Sequence, residues 1–271
     1  MVDRKHLLSS KQMARFVTDG FLRFDGVVPD ELNRAACEEM EKGIERKPGG
    51  VRLGDLWPAP SAMGRIFRLP AVEGIIQSLV GPDPLYDHHA IHTVNAGNLN
   101  GQIWHADAII DLRMHFDIQF FYFAHETPRE MGGTLILPGS HYRRISESDI
   151  ARYQNFVGQL PIVCEPGTLV VVHHGIWHCA QPNHTDRKRY MFKLRLNPTV
   201  RQLRLWNTDD IDDSVIPGIL NTNHSWYGNE VRIEIVNRIK FWRFLTGDDR
   251  FDASYWLSRI ENEPETVMHA A

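Results

Sequence analysis

Three residues of this chain have the types and spacing to hold a divalent metal ion. His105 and Asp107 are two residues apart, so in an extended segment their side chains project from the same face. His178 can complete the set, because the Pro182 and Asn183 that follow it indicate a turn into another strand. Two imidazoles and one carboxylate occupy one face of an octahedral ion and leave the opposite positions open, as in non-haem iron(II) oxygenases. The sequence therefore predicts a catalytic metal centre at His105, Asp107 and His178.

The other histidines have simpler interpretations. The chain has 14 histidines, and surface or supporting roles are commoner than metal binding. His174 is the alternative to His178 as the distal ligand. Trp104 and Trp177, each adjacent to a predicted ligand, are interpreted as packing residues that can also shape a pocket. A short His-x-Asp pattern arises by chance in many chains, so the metal hypothesis depends on the residues around it.

The elements that must position these residues indicate a mainly β protein with flanking helices. Segments rich in β-branched and aromatic residues predict strands over residues 85–94, 102–107, 116–124, 134–137, 160–164, 168–173 and 189–196. Amphipathic spacing predicts helices over residues 9–20, 29–42, 72–80 and 231–245, a strand over 20–28, and a helical insertion over 146–158. Many short strands separated by Gly, Pro and Asn favour a jelly roll, the cupin-like double-stranded β-helix.

Length and composition favour one domain over residues 1–271. Within it we expect N-terminal helical and strand support over residues 1–80, a jelly-roll core over 85–196 and a C-terminal helical extension over 200–271. A net charge of −4 indicates neither nucleic acid nor a membrane as partner. Three cysteines without a Cys-x-x-Cys pair and a polar N-terminus predict a cytoplasmic protein. We expect a monomer or homodimer that acts on a small molecule.

Several residues around the predicted ligands form an ordered motif set. It comprises Gln102, residues 133–141 with the sequence Gly-Thr-Leu-Ile-Leu-Pro-Gly-Ser-His, Asn183 and Arg189. Arg189 lies eleven residues after His178. This order resembles the iron(II)/2-oxoglutarate oxygenases of the phytanoyl-CoA dioxygenase superfamily, and the resemblance runs over about residues 13–196.

The strand predicted at residues 189–196 has one polar and one apolar face. Its odd positions are Arg189, Met191, Lys193 and Arg195, and its even positions are Tyr190, Phe192, Leu194 and Leu196. In the resembled fold the outer face packs on helices and the inner face lines the active site, which implies that Arg189 points inside. Its planar guanidinium suits the far carboxylate of 2-oxoglutarate. A solvated surface strand is the alternative, and Arg187 or Arg195 is the alternative carboxylate partner.

Gln102 and Thr134 occupy positions that, in the resembled family, hydrogen-bond the cosubstrate. Both side chains are chemically suited to a carboxylate oxygen. Gln102 is an odd number of residues from His105, so on a regular strand it would face away, and the prediction requires a bulge or bend. An ordinary polar strand residue is the alternative for each.

The resemblance implies an iron(II)/2-oxoglutarate-dependent dioxygenase that uses O2. It would hydroxylate or desaturate a small or medium organic molecule and release succinate and CO2. Asp107 favours these outcomes over halogenation, since related halogenases have a small residue at that position. A non-catalytic jelly-roll module that binds a metal or ligand, and a cupin-like metal-dependent hydrolase or isomerase, remain alternatives. The substrate is not identified by any motif, and no basic pocket for coenzyme A is evident.

Overall fold

The computed structural model describes residues 2–107, 115–143, 155–224 and 228–252. Its helices are α1 (Ser10–Asp19), α2 (Asp30–Lys42), α3 (Leu53–Leu56), α4 (Ala62–Ile66), α5 (Pro70–Val80), α6 (Val215–Leu220) and α7 (Asn229–Thr246). Its strands are β1 (Phe21–Phe24), β2 (Leu85–Val94), β3 (Ile118–Phe123), β4 (Leu135–Leu137), β5 (Leu160–Pro161), β6 (Thr168–His173), β7 (Trp177–Cys179) and β8 (Arg189–Asn197). The helical insertion expected over residues 146–158 lies mostly outside the described residues.

The strands form two antiparallel sheets. The larger has the order β1-β6-β3-β8-β2 and the smaller the order β5-β4-β7. Phe121 and Val172 of the larger sheet share one buried cluster with Ile136 of the smaller. Two sheets packed face to face confirm the predicted jelly roll, the double-stranded β-helix.

The outer face of the larger sheet is covered by helices. Phe192 and Leu194 of β8 belong to the same buried core as Phe16 of α1 and Ile76 of α5. Met191, the intervening residue, belongs instead to the cluster between the two sheets. The apolar face of β8 therefore packs outward on helices, and its polar face is turned toward the interior between the sheets.

The connection from α1 to β1 is determined by local chemistry. Ser9 and Gln12 form a reciprocal capping box that starts α1. Gly20 ends the helix with a φ of 81°, and a Cβ at this position would collide with the imidazole of His141. The Nε2 of His141 lies 3.1 Å from the carbonyl oxygen of Val17. His141 therefore ties the end of α1 to the loop after β4.

The C-terminal helix α7 begins at Asn229, slightly earlier than expected, and ends at Thr246, where Gly247 caps it with a φ of 62°. Its residues Phe241, Trp242 and Leu245 are buried in the main core. The predicted packing helix is therefore present. In the described part of the chain, no helix combines the length and apolar character needed to cross a membrane.

Two strand predictions near the proposed ligands need correction. Residues 102–107 were expected to form a strand, but only His105 makes an isolated bridge, with His178. The strand around the distal ligand spans Trp177–Cys179, so His178 lies within it rather than ahead of it. Short pairings of this kind depend on a partner far away in sequence, which the local pattern does not reveal.

Candidate metal centre

The histidines His105 and His178 lie opposite each other in an antiparallel bridge. The amide of His105 donates to the carbonyl of His178 at 3.1 Å, and the amide of His178 donates back at 2.9 Å. A pair that exchanges both hydrogen bonds has its side chains on the same side of the sheet. The two imidazole centroids are consequently 4.4 Å apart.

Both imidazoles are held in the same tautomer. The Nδ1 of His105 lies 2.8 Å from the carbonyl oxygen of Ile103, and the Nδ1 of His178 lies 3.0 Å from that of Ile176. A carbonyl oxygen can only accept, so each Nδ1 carries the hydrogen. Each Nε2 is left with its lone pair free, the state in which histidine binds a metal.

Asp107 supplies the third donor. One ligand atom from each of His105, Asp107 and His178 lies within 4.8 Å of the others, and Oδ2 of Asp107 is 3.6 Å from Nε2 of His178. Burial by itself would raise the pKa of the Asp107 carboxyl, but His178 and Lys193 hold it well below its usual value. Burial lowers the pKa of His178 to about 4. Two imidazoles with Nδ1 held by a carbonyl, beside an ionised carboxylate, fit a divalent metal ion.

The alternative distal ligand, His174, lies outside this cluster. The three residues named above are the single group of potential metal ligands found among the described residues. His174 is buried, and its Nδ1 lies 3.1 Å from the backbone nitrogen of Asp117. The geometry thus favours His178 over His174.

Arg189 reaches the same cavity as the two histidines. It lies on the inner face of β8, is 2% exposed and lines a small cavity together with His105 and His178. Its guanidinium donates to the carbonyls of Met131 at 3.0 Å and Gln181 at 3.4 Å. Burial lowers its pKa to about 10. No described acidic side chain pairs with it, so the guanidinium is able to bind an anionic ligand by donating hydrogen bonds to it.

The two alternative arginines lie beside other acidic residues. Arg195 donates to Asp117 at 2.6 Å. Arg187 is exposed and lies 3.6 Å from Glu126. Neither residue lines the cavity that contains Arg189.

Gln102 and Thr134 also line this cavity. The backbone amide of Gln102 donates to the carbonyl of Ala180 at 2.8 Å, and its side-chain oxygen accepts from the amide of Ala180 at 3.1 Å. Because the chain before His105 is irregular rather than a regular strand, the odd spacing does not turn Gln102 away. The bend that the prediction required is therefore present.

Three further residues of the inner face were not selected as site residues from the sequence. Lys193 and His92 line the cavity, and Nζ of Lys193 donates to Oδ2 of Asp107 at 3.0 Å. Gln119 of β3 is fully buried opposite Arg195. Lys193 has the same strand parity as Arg189, so the alternation of β8, combined with the inner-face orientation that the resemblance implied, was the signal that could have pointed to it. His92 and Gln119 carried no such signal.

Comparisons with known proteins agree with this geometry. The model of the phytanoyl-CoA dioxygenase (PhyH) family matches residues 55–191. No curated protein sequence matches the chain. Among solved structures, EctD from S. alaskensis with bound Fe has 17% identity and a TM-score of 0.56, covering 70% of this chain and 77% of its own.

Two other solved structures have similar folds. The non-heme alpha ketoglutarate dependent carbocyclase SnoK from nogalamycin biosynthesis has 18% identity and a TM-score of 0.54, covering 73% of this chain and 87% of its own. AviO1 from Streptomyces viridochromogenes Tue57 has 17% identity and a TM-score of 0.52, covering 74% of this chain and 97% of its own. Identities this low establish a shared fold only.

Proposed function

The chain belongs to the phytanoyl-CoA dioxygenase family, and on that premise we propose that it uses iron(II) and 2-oxoglutarate to oxidise a small or medium organic molecule. Hydroxylation is the expected reaction, with desaturation as the variant outcome. One arrangement carries the proposal. His105 and His178 are each held through Nδ1 by a backbone carbonyl and lie beside Asp107, and the cavity that they line is also lined by Arg189.

In this proposal His105, Asp107 and His178 would hold the iron. Bound there with 2-oxoglutarate and O2, iron supplies the oxidising chemistry, and succinate and CO2 are released. Arg189 would bind the far carboxylate of 2-oxoglutarate through two parallel hydrogen bonds. Gln102 and Thr134, which line the same cavity, would donate further hydrogen bonds to the cosubstrate.

The chain around the ligands would exclude water. Phe121 is fully buried, and its ring centroid is 5.3 Å from that of His178. Met191, 6% exposed, lines the cavity between Arg189 and Lys193 on the strand. An apolar wall strengthens the electrostatic interactions inside the site and restricts side reactions with water.

An anaerobic titration tests the proposal. Iron(II) is added to the metal-free chain, followed by 2-oxoglutarate, and the metal-to-ligand charge-transfer absorption is recorded before O2 is admitted. We expect the absorption to appear and succinate to form. Absorption without succinate would indicate a binding module. Activity with zinc that is indifferent to 2-oxoglutarate would indicate a hydrolase or isomerase.

A further inference from the structure

Lys193 is a buried cation placed directly beside the predicted metal ligands. It lies on the inner face of β8, is 8% exposed and lines the cavity that contains His105 and His178. Its ammonium group donates to Oδ2 of Asp107 at 3.0 Å. Lys193 therefore has a full anionic partner only while Oδ2 of Asp107 is free to accept this hydrogen bond.

The oxygen that Lys193 contacts is the one that faces the metal position. Oδ2 of Asp107 is also the carboxylate oxygen 3.6 Å from Nε2 of His178. A divalent cation bound at this oxygen would repel the nearby ammonium group of Lys193. If the triad binds iron(II) as proposed above, the metal would therefore weaken the ion pair of Lys193 with Asp107 and favour a further anion beside the ammonium group.

Among the residues that the structure describes, Asp107 is the one acidic side chain that forms an ion pair with Lys193. Asp117 is instead paired with Arg195 at 2.6 Å, and Asp87 lies 2.5 Å from His88. A buried ammonium without an anion is unfavourable. A further anion beside Lys193 would therefore stabilise the site once a metal has weakened the pair with Asp107.

Unpartnered polar groups lie on the same face. Gln119 is fully buried, and neither its side-chain oxygen nor its nitrogen has a hydrogen-bond partner within the described ranges. Gln119 sits near enough to Asp107 to contribute to the low pKa of that carboxyl, although no well-formed hydrogen bond joins them. The buried Nε2 of His92 likewise lacks a described partner. Buried polar atoms of this kind call for a hydrogen-bond partner, which a bound ligand can supply.

We propose that the substrate carries a carboxylate, which Lys193 binds beside the metal while Gln119 and His92 donate hydrogen bonds to it. The ammonium group of Lys193 suits an anionic group. The amide nitrogen of Gln119, and the Nε2 of His92 when it carries the ring hydrogen, can donate to the two oxygens of a carboxylate. Substrate would thus be oriented by its anionic end, with Lys193 as the residue that selects acids over neutral analogues.

The first arm of the test separates this inference from the proposed function on which it depends. The charge-transfer absorption of the anaerobic iron(II)–2-oxoglutarate form is measured for the unmodified chain, Lys193→Met and the control Lys188→Met, which removes an exposed lysine just before β8. We expect all three to show it, with Lys193→Met binding iron at least as tightly. Absence from the unmodified chain contradicts the proposed function. Loss in Lys193→Met alone would show that Lys193 positions Asp107, and would overturn the inference.

The second arm measures the binding of acetate and acetamide to the same iron(II)–2-oxoglutarate form by calorimetry. We expect the unmodified chain and Lys188→Met to bind acetate at least about tenfold more tightly than acetamide, as one charged hydrogen bond implies. Lys193→Met should lose this preference. Equal binding of the two probes, an unchanged preference in Lys193→Met, or loss of the charge-transfer absorption on adding acetate would each overturn the inference.

Discussion

Two groups of buried histidines in this chain have opposite characters. His105 and His178 each donate Nδ1–H to a nearby carbonyl and lie beside the carboxylate of Asp107. His141, His173 and His174 instead pack against one another in the core, with ring centroids 5.0 Å apart for the first pair and 4.7 Å for the second. The difference teaches that burial and clustering of histidines do not by themselves indicate a metal site. What distinguishes the candidate ligands is the carboxylate that completes their cluster.

The imidazoles of His141, His173 and His174 pack like the aromatic side chains of the core. The ring of His173 lies 5.5 Å from that of Phe116 and 6.3 Å from that of Phe16, centroid to centroid. Burial lowers the pKa of His141 to about 3 and also lowers those of His173 and His174. These imidazoles are therefore neutral at neutral pH and contribute mainly through packing.

The largest effect is expected from exchanging a histidine of one group but not of the other. His178→Ala should abolish turnover and the charge-transfer absorption, because two ligands hold iron far more weakly than three. His174→Ala should retain the absorption, since His174 lies outside the cluster of potential ligands. Metal affinity measured on both variants checks the contrast. A metal-binding His178→Ala chain together with an inert His174→Ala chain would transfer the distal ligand to His174.

A second prediction concerns Asp107, the carboxylate that distinguishes the first group. Three protein ligands, two oxygens of 2-oxoglutarate and O2 would fill the six positions of an octahedral ion, so none would be left for chloride. Once a substrate is found by screening succinate release, its product should gain one oxygen atom or lose two hydrogens, even in excess chloride. Mass spectrometry under labelled O2 measures this. A chlorinated product would show that Asp107 is not a ligand.

A third prediction concerns cosubstrate binding in the cavity lined by His105, His178 and Arg189. Arg189→Lys should raise the 2-oxoglutarate concentration needed for half-maximal turnover, by a factor corresponding to about 1.5–3 kcal/mol, because the paired hydrogen bonds are lost. Arg187→Lys, at an exposed position before the same strand, is the matched control and should change little. If the control shows the larger change, the carboxylate partner is Arg187.

The smallest expected effect is on the pH dependence of the free energy of unfolding, through the core histidine His141. His141 has a folded-state pKa of about 3, below its ordinary 6.5, so the unfolded chain takes up the proton first as the pH falls. Its contribution to stability is fully present above pH 6.5 and is lost as the pH falls toward 3, at about 1.4 kcal/mol per pH unit. Urea unfolding at pH 7 and pH 5 should show a shallower pH dependence for His141→Gln than for the unmodified chain. An identical pH dependence of stability in the two chains would mean that His141 does not cause it.

Much of the fold was predictable because its signals are local. The capping residue Ser9 and the glycine at position 20 delimit α1 within one residue of the expected ends, and β2 and β6 have the predicted bounds. Strand β8 was recognisable from its alternation, and the family resemblance implied that its polar face, with Arg189, points inside. By contrast, the predicted strand at residues 102–107 is reduced to a bridge at His105, because its pairing involves only one residue.

By itself, the sequence determined which side chains could act as ligands and, through the alternation of extended chain, which of them share a face. His105 and Asp107 were proposed because side-chain direction in extended chain follows a period of two, and Arg189 because that period was combined with the family resemblance. Only the tertiary structure favoured His178 over His174, placed Gln102 at the cavity and brought Lys193 to Asp107. Each of these depends on a contact between residues more than 70 positions apart. Contacts of that kind are selected by the packing of whole sheets, which local residue patterns do not encode.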